Sequence, residues 1–200
     1  MRQSFATAIN IFNTNNGILK MAQADKLGVD SKTLLEMTDA GLLVKESRGV
    51  YRLANMPPLS NPDLVQVAMR VPAGVVCLIS ALAFHNLTTQ IPHKVYIALP
   101  TDVKKPRIDY PPIEVIWLSE KTYSSGMEEH TIDGVKVRIY NREKTVADCF
   151  RFRNKIGQDI ALEALKDYLR RPDRNIEHLL NYARINRVHN VMMPYLKAAL

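Results

Sequence analysis

Ser31, Lys32 and Thr33 stand in a row, with Glu36 one helical turn further on. At the exposed start of a helix such residues offer the donors and acceptors that read base edges in a major groove. Lys20, Lys45, Arg48 and Arg52 surround them in sequence and have the charge to neutralise phosphates, with Lys26 a weaker candidate. A second group lies between Arg138 and Lys155: Arg138, Arg142, Lys144, Arg151, Arg153 and Lys155, against only Glu143 and Asp148. Phe150 and Phe152 interleave with these cations. One reading is a patch for nucleic acid or an acidic partner. The other is a helix end whose charges complement the helix dipole, with Asp148 pairing an arginine. Arg170 to Arg174 reads as a solvated turn between helices.

Catalytic chemistry has weaker support. Asp63, and later Asp102 with Lys104, echo the carboxylates and lysine that hold Mg²⁺ beside a scissile phosphate in a nuclease. Asp63, however, reads as the opening of a helix and Asp102 lies in a Pro-rich loop. Ser80 and His85 fall in an apolar stretch and read as core. The sequence has no Gly-rich phosphate loop, zinc motif or nucleophile elbow. The five histidines are scattered, with no helical ligand spacing. Cys77 and Cys149 sit in apolar stretches and read as buried free thiols. The expectation is a protein that is not an enzyme, with no cofactor and no metal.

The candidate residues must be positioned by local structure. Phe5, Ala8, Ile9 and Phe12 share one helical face, and Asn13 to Gly17 stop that helix. A short helix from about Lys20 to Leu27 closes at Gly28, and Asp30 or Ser31 caps a third helix that ends near Ala40. Leu34, Leu35 and Met37 are expected to supply its apolar contacts. Residues 42–47 and 50–53 read as strands joined through Arg48-Gly49. Two helices around a glycine-containing turn, followed by a hairpin, predict a winged helix-turn-helix with a basic wing tip.

Residues 55–62 are rich in Pro and Asn and read as a linker or corner. Residues 63–70 and 74–86 read as helices, the first capped by Asn61 and the second apolar almost all round and therefore buried. Strands are expected at 95–99, 113–118 and 135–140, and helices at 143–151, 157–170, 174–184 and 188–199. The fold class is α+β: a winged helix-turn-helix over residues 1–56, then a domain over residues 57–200 with a small β-sheet packed with helices.

Composition narrows the partners. Of 200 residues, 46% are hydrophobic, enough for a core. The net charge of +7 favours an anionic partner such as nucleic acid. Residues 1–56 carry a net +2 and the remainder +5, so the excess is shared between the two parts. No apolar run is long enough for a membrane span, and the opening residues, Met1 to Phe5, lack the stretch of a secretory signal, so a cytoplasmic protein without membrane contact is expected.

The chain resembles the AbiEi antitoxin family, the regulators of type IV toxin–antitoxin systems. The resemblance is carried by three stretches: Gly17-Ile18-Leu19 through Gly49-Val50-Tyr51-Arg52-Leu53; Pro72 through Thr88; and Lys144-Thr145-Val146-Ala147-Asp148-Cys149-Phe150-Arg151 through Gly157, followed by Ala161-Leu162-Glu163-Ala164-Leu165. It implies an N-terminal domain that binds double-stranded DNA at inverted repeats in its own promoter, and a C-terminal domain that carries antitoxin activity. It also implies a nucleotidyltransferase-like toxin, countered without a stable complex. The alternatives from the residues themselves are a protein-interaction module that uses the winged helix for a protein partner, and a metal-dependent nuclease.

Overall fold

The computed structural model describes residues 3–199, so Met1 and Arg2 of the opening segment lie outside the described residues. Two compact units are present. The first comprises the described residues up to Pro72 together with Thr131–Lys136; the second comprises Ala73–His130 and the described residues from Val137 onward. The sequence reading places the boundary after residue 56, whereas the contacts group the following helix with the first unit.

The first unit begins with α1 (Gln3–Thr14), which buries Ala8 and Phe12. The short strand β1 (Ile18–Lys20) leads into α2 (Met21–Lys26). Gly28 takes a positive φ of 92° in the turn that follows, a conformation open to glycine at little cost. The next helix, α3 (Ser31–Asp39), is capped by Asp30, whose carboxylate accepts the Thr33 N–H at 2.7 Å. Strands β2 (Leu43–Ser47) and β3 (Val50–Leu53) form the wing, with a register shift between Lys45 and Ser47. The wing has a third strand that the sequence reading leaves out. β1 pairs antiparallel with β3, Leu19 facing Tyr51. Three residues are too few to show the alternation by which strands are recognised.

Phe12, Leu34, Met37, Leu43 and Leu53 make the core of this unit. The helix α4 (Pro62–Arg70) adds a satellite cluster, with Val65 and Met69 against Ile18 and Val50. Its cap is Asn61, as the sequence indicates. The tip of a later hairpin completes the unit: Asp133 accepts from the Ser60 N–H at 2.8 Å, and Asn16 donates to the Gly134 carbonyl at 3.0 Å.

In the second unit, β4 (Val75–Val76) is followed by α5 (Leu78–Phe84). The sequence expectation of one helix over 74–86 is corrected here. Val75 and Val76 are the central strand of a five-stranded sheet, because both faces of a central strand are covered and an all-round apolar run suits it as well as a buried helix. The other strands are β5 (Val95–Pro100), β6 (Ile113–Leu118), β7 (Met127–Ile132) and β8 (Val135–Tyr140), in the spatial order β6-β5-β4-β8-β7. β4 runs antiparallel to β5 and parallel to β8. β7 and the short α6 (Glu120–Ser124) are also absent from the sequence reading. Asp133 and Gly134, both at positive φ, turn β7 into β8.

Helices α7 (Arg142–Arg151), α8 (Arg153–Ile156), α9 (Gln158–Leu169), α10 (Ile176–Ile185) and α11 (His189–Ala199) complete the unit. Its core runs from Leu78 and Leu82 through Val146 and Phe150 to Leu165 and Met192. Cys77 and Cys149 are both buried and free, and burial raises both thiols well above their ordinary range.

Candidate nucleic-acid interface

The geometry of α3 follows from its period. Leu34 and Met37 point into the core, which turns Ser31, Lys32 and Leu35 outward. Ser31 and Lys32 are exposed at the first turn, and Thr33 is half-buried beside the Asp30 cap. Backbone N–H groups at this end add a partial positive charge. Glu36 is half-buried one turn on. The sequence reading packs Leu35 inward; it is instead 59% exposed, because it stands on the opposite side of the helix from Leu34's and Met37's contacts. An exposed leucine on such a face can meet the methyl group of thymine. Met21 and Leu27, at either end of α2, are also exposed.

The wing presents Lys45 and Arg48 to solvent. Gly49, at a φ of 75°, makes the turn, and its carbonyl accepts the Met21 N–H at 2.8 Å, which ties the wing tip to the start of α2. Lys20 is half-buried where β1 meets α2, and burial lowers its ammonium below the usual lysine range. Arg52 lies elsewhere. It is buried, pairs with Glu46, and donates to the carbonyls of Leu53 and Met56. Its guanidinium holds the wing to the segment that follows. Of the candidate cations of this unit, Lys26, Lys32, Lys45 and Arg48 are exposed, with Lys20 partly covered.

The six cations between Arg138 and Lys155 do not stand together. Lys144 is fully buried and binds the Asp148 carboxylate, with the Tyr140 ring 4.4 Å from its ammonium. It belongs to the core and not to a surface patch, since α7 is packed among α5, α9 and α10. Asp148 thus pairs a lysine, where the sequence suggested an arginine. Arg142 pairs with Asp173, and Lys155 with Glu114. Arg153 donates to the Phe150 carbonyl, closing the turn between α7 and α8. Arg138 is exposed on β8. Arg151 lies over the Phe152 ring, 5.4 Å from its centre, and lines a cleft with Lys121, Arg184 and Arg187.

Asp63 lies in the first turn of α4 and Asp102 in the loop after β5, in different units. Among the described residues no group of three or more His, Cys, Asp or Glu side chains is placed to hold a metal ion. Ser80 is core, accepting the Tyr96 N–H at 2.9 Å. His85 lies 2.7 Å from the Tyr140 carbonyl through Nε2, which therefore carries the proton. Burial lowers the pKa of this imidazole. No described helix is long and apolar enough to cross a membrane.

Comparison with solved structures shows a likeness of fold. The crystal structure of the RV2827C protein from Mycobacterium tuberculosis superposes with a TM-score of 0.55 at 13% identity, covering 98% of this chain and 82% of that one. At such identity the likeness concerns the fold alone. No curated protein matches the chain. Residues 9–54, from within α1 to just past β3, match the family model described as transcriptional regulator, AbiEi antitoxin.

Proposed function

We propose that this protein is a sequence-specific DNA-binding autorepressor and the antitoxin of a type IV toxin–antitoxin pair. The observation that carries the reading is the exposed start of α3, Ser31 and Lys32, within a winged helix whose residues 9–54 match the AbiEi regulator model. In this reading α3 enters the major groove, with Ser31, Lys32, Thr33 and Glu36 at the base edges. Lys45, Arg48 and Lys20 hold phosphates, so the wing tip contacts the backbone or the minor groove. Inverted repeats in the promoter take two copies of the chain. The toxin is of the nucleotidyltransferase-like class and is countered without a stable complex.

The test is a titration against the DNA upstream of the gene at two salt concentrations, with the wild type and with Lys32→Ala/Thr33→Ala. Tight binding that weakens with salt and loses sequence preference in the variant is expected. Binding no tighter than to random DNA would overturn the reading. A second reading draws on Met21, Leu27 and Leu35, exposed apolar side chains of α2, its following turn and α3, which suit a protein partner. Salt-independent behaviour towards DNA would favour that reading.

A further inference from the structure

A cleft in the second unit collects four cations from three places in the chain. Lys121 comes from α6, Arg151 from the end of α7, and Arg184 and Arg187 from the end of α10 and the turn after it. The cleft has a volume of about 710 Å³ and is lined almost wholly by polar side chains, Ile185 being the apolar exception. No carboxylate lines it, and none of the four cations is paired with one among the described residues. The carboxylate of Asp148, which lies behind Asn186, is already bound by Lys144 and by the Asn186 amide at 2.7 Å. Lys121, Arg184 and Arg187 are exposed and Arg151 is half-buried, so the cleft presents four cations without a counter-charge to solvent, where an anion can meet them.

The backbone at Arg187 is a second, independent observation. α10 ends in a Schellman motif: the Val188 N–H donates to the Ala183 carbonyl at 2.8 Å, and the Arg187 N–H to the Arg184 carbonyl at 3.0 Å. The residue between must be left-handed, and Arg187 has a φ of 58°. Glycine or asparagine takes this position at little cost, whereas an arginine is strained there. Complementing the dipole of α10 does not require it, because Arg184 already stands in the last turn. The left-handed backbone places Arg187 on the cleft beside Arg184.

Asn186, 4% exposed, orders the wall: its amide nitrogen is committed to Asp148, and the contacts to an anion fall to the cations. The Ser119 and Thr122 hydroxyls, 2.7 Å apart, hold the opposite wall together.

We infer that this cleft binds a polyphosphate group, of the kind carried by a nucleoside triphosphate. Four clustered cations match several closely spaced phosphates, and guanidinium groups meet phosphate oxygens two at a time. The volume of this open cleft falls in the range of small-ligand sites. An acidic peptide would need apolar surface beside its carboxylates, and the lining has little. The site is independent of the winged helix, so its occupancy does not depend on the DNA-binding reading.

Calorimetric titration of the full chain with inorganic triphosphate, with ATP, and with a short single-stranded oligoribonucleotide tests this. Triphosphate and ATP are expected to bind and to compete with each other, and their affinity is expected to fall as salt is raised. Arg187→Gly is expected to weaken both by about tenfold, and Arg184→Ala similarly, the loss typical of one charged hydrogen-bonding group. Arg187→Gly is also expected to raise the melting temperature, because it relieves the left-handed strain; this separates a lost ligand from a lost fold. Binding of the oligoribonucleotide alone, with no response to triphosphate or ATP, would overturn the proposal. So would triphosphate binding that Arg187→Gly and Arg184→Ala leave unchanged, or no binding at all.

Discussion

The Lys144 ammonium and the Asp148 carboxylate, one turn apart on α7, face each other at 2.5 and 2.6 Å with neither side chain reaching solvent. The pair is tied outward by the Asn186 amide and covered by the Tyr140 ring. Two buried charges in contact tolerate joint replacement far better than the loss of one partner. Asp148→Ala is expected to cost about 3–5 kcal/mol, because it leaves a buried ammonium without its counter-charge. The double variant Lys144→Met/Asp148→Leu is expected to recover most of that loss. Urea denaturation of the three proteins measures it, and a double variant as unstable as Asp148→Ala would contradict this account.

A different ion pair sets an acid response. Glu114 on β6 binds Lys155 at 2.5 Å and Lys94 at 2.8 Å, and together these ammonium groups hold its carboxyl down to about 2. A carboxyl whose pKa is depressed by folding stabilises the native state above its unfolded value, near 4.5, and loses that contribution as pH falls towards 2. Glu114→Gln should therefore melt below the wild type at neutral pH, and the gap should close across this window. Both lysines are nearly half exposed, so added salt should narrow the gap as well. A gap that persists unchanged at pH 2 would show that the stabilisation is not ionic.

Within the winged helix, cations of equal charge should behave differently. Arg52 is committed to Glu46 and two carbonyls, while Lys45 and Arg48 reach solvent. Arg52→Ala is expected to lower stability by about 1–3 kcal/mol, the cost of unmaking buried charged hydrogen bonds, and to leave the salt slope of DNA binding unaltered. Arg48→Ala and Lys45→Ala should leave stability within about 0.5 kcal/mol and each reduce the slope by about 1. Thermal melts and binding isotherms on the same preparations separate the two behaviours.

Leu35 offers a sharper test of the face that α3 presents. It is 59% exposed between the buried Leu34 and the half-buried Glu36. Leu35→Ala should change stability by less than about 0.5 kcal/mol, as both residues favour a helix and little area is buried. If α3 reads DNA, the same change should cost about 1 kcal/mol or more on the operator and little on random sequence. Equal losses on both DNAs would place Leu35 away from the base edges.

What the sequence alone determined about this protein was local. The helical face of α1, the Asp30 and Asn61 caps, and the wing strands on either side of Arg48-Gly49 depend on residues a few positions apart. Their physics, side-chain periodicity and short-range hydrogen bonds, is visible in a linear string. Pairing between distant segments was not. Val75 and Val76 are a strand because Ala98, Ile97 and Ile139 bring their backbone partners to them, and two residues have no period of their own. The fate of each cation was equally remote. Lys144 and Arg151 are seven residues apart on one helix, yet one is sealed in the core and the other joins Lys121, Arg184 and Arg187 at a cleft. A charge in sequence is only a charge; whether it is paired, buried or left facing an anion depends on which carboxylates and which solvent the packed chain places beside it.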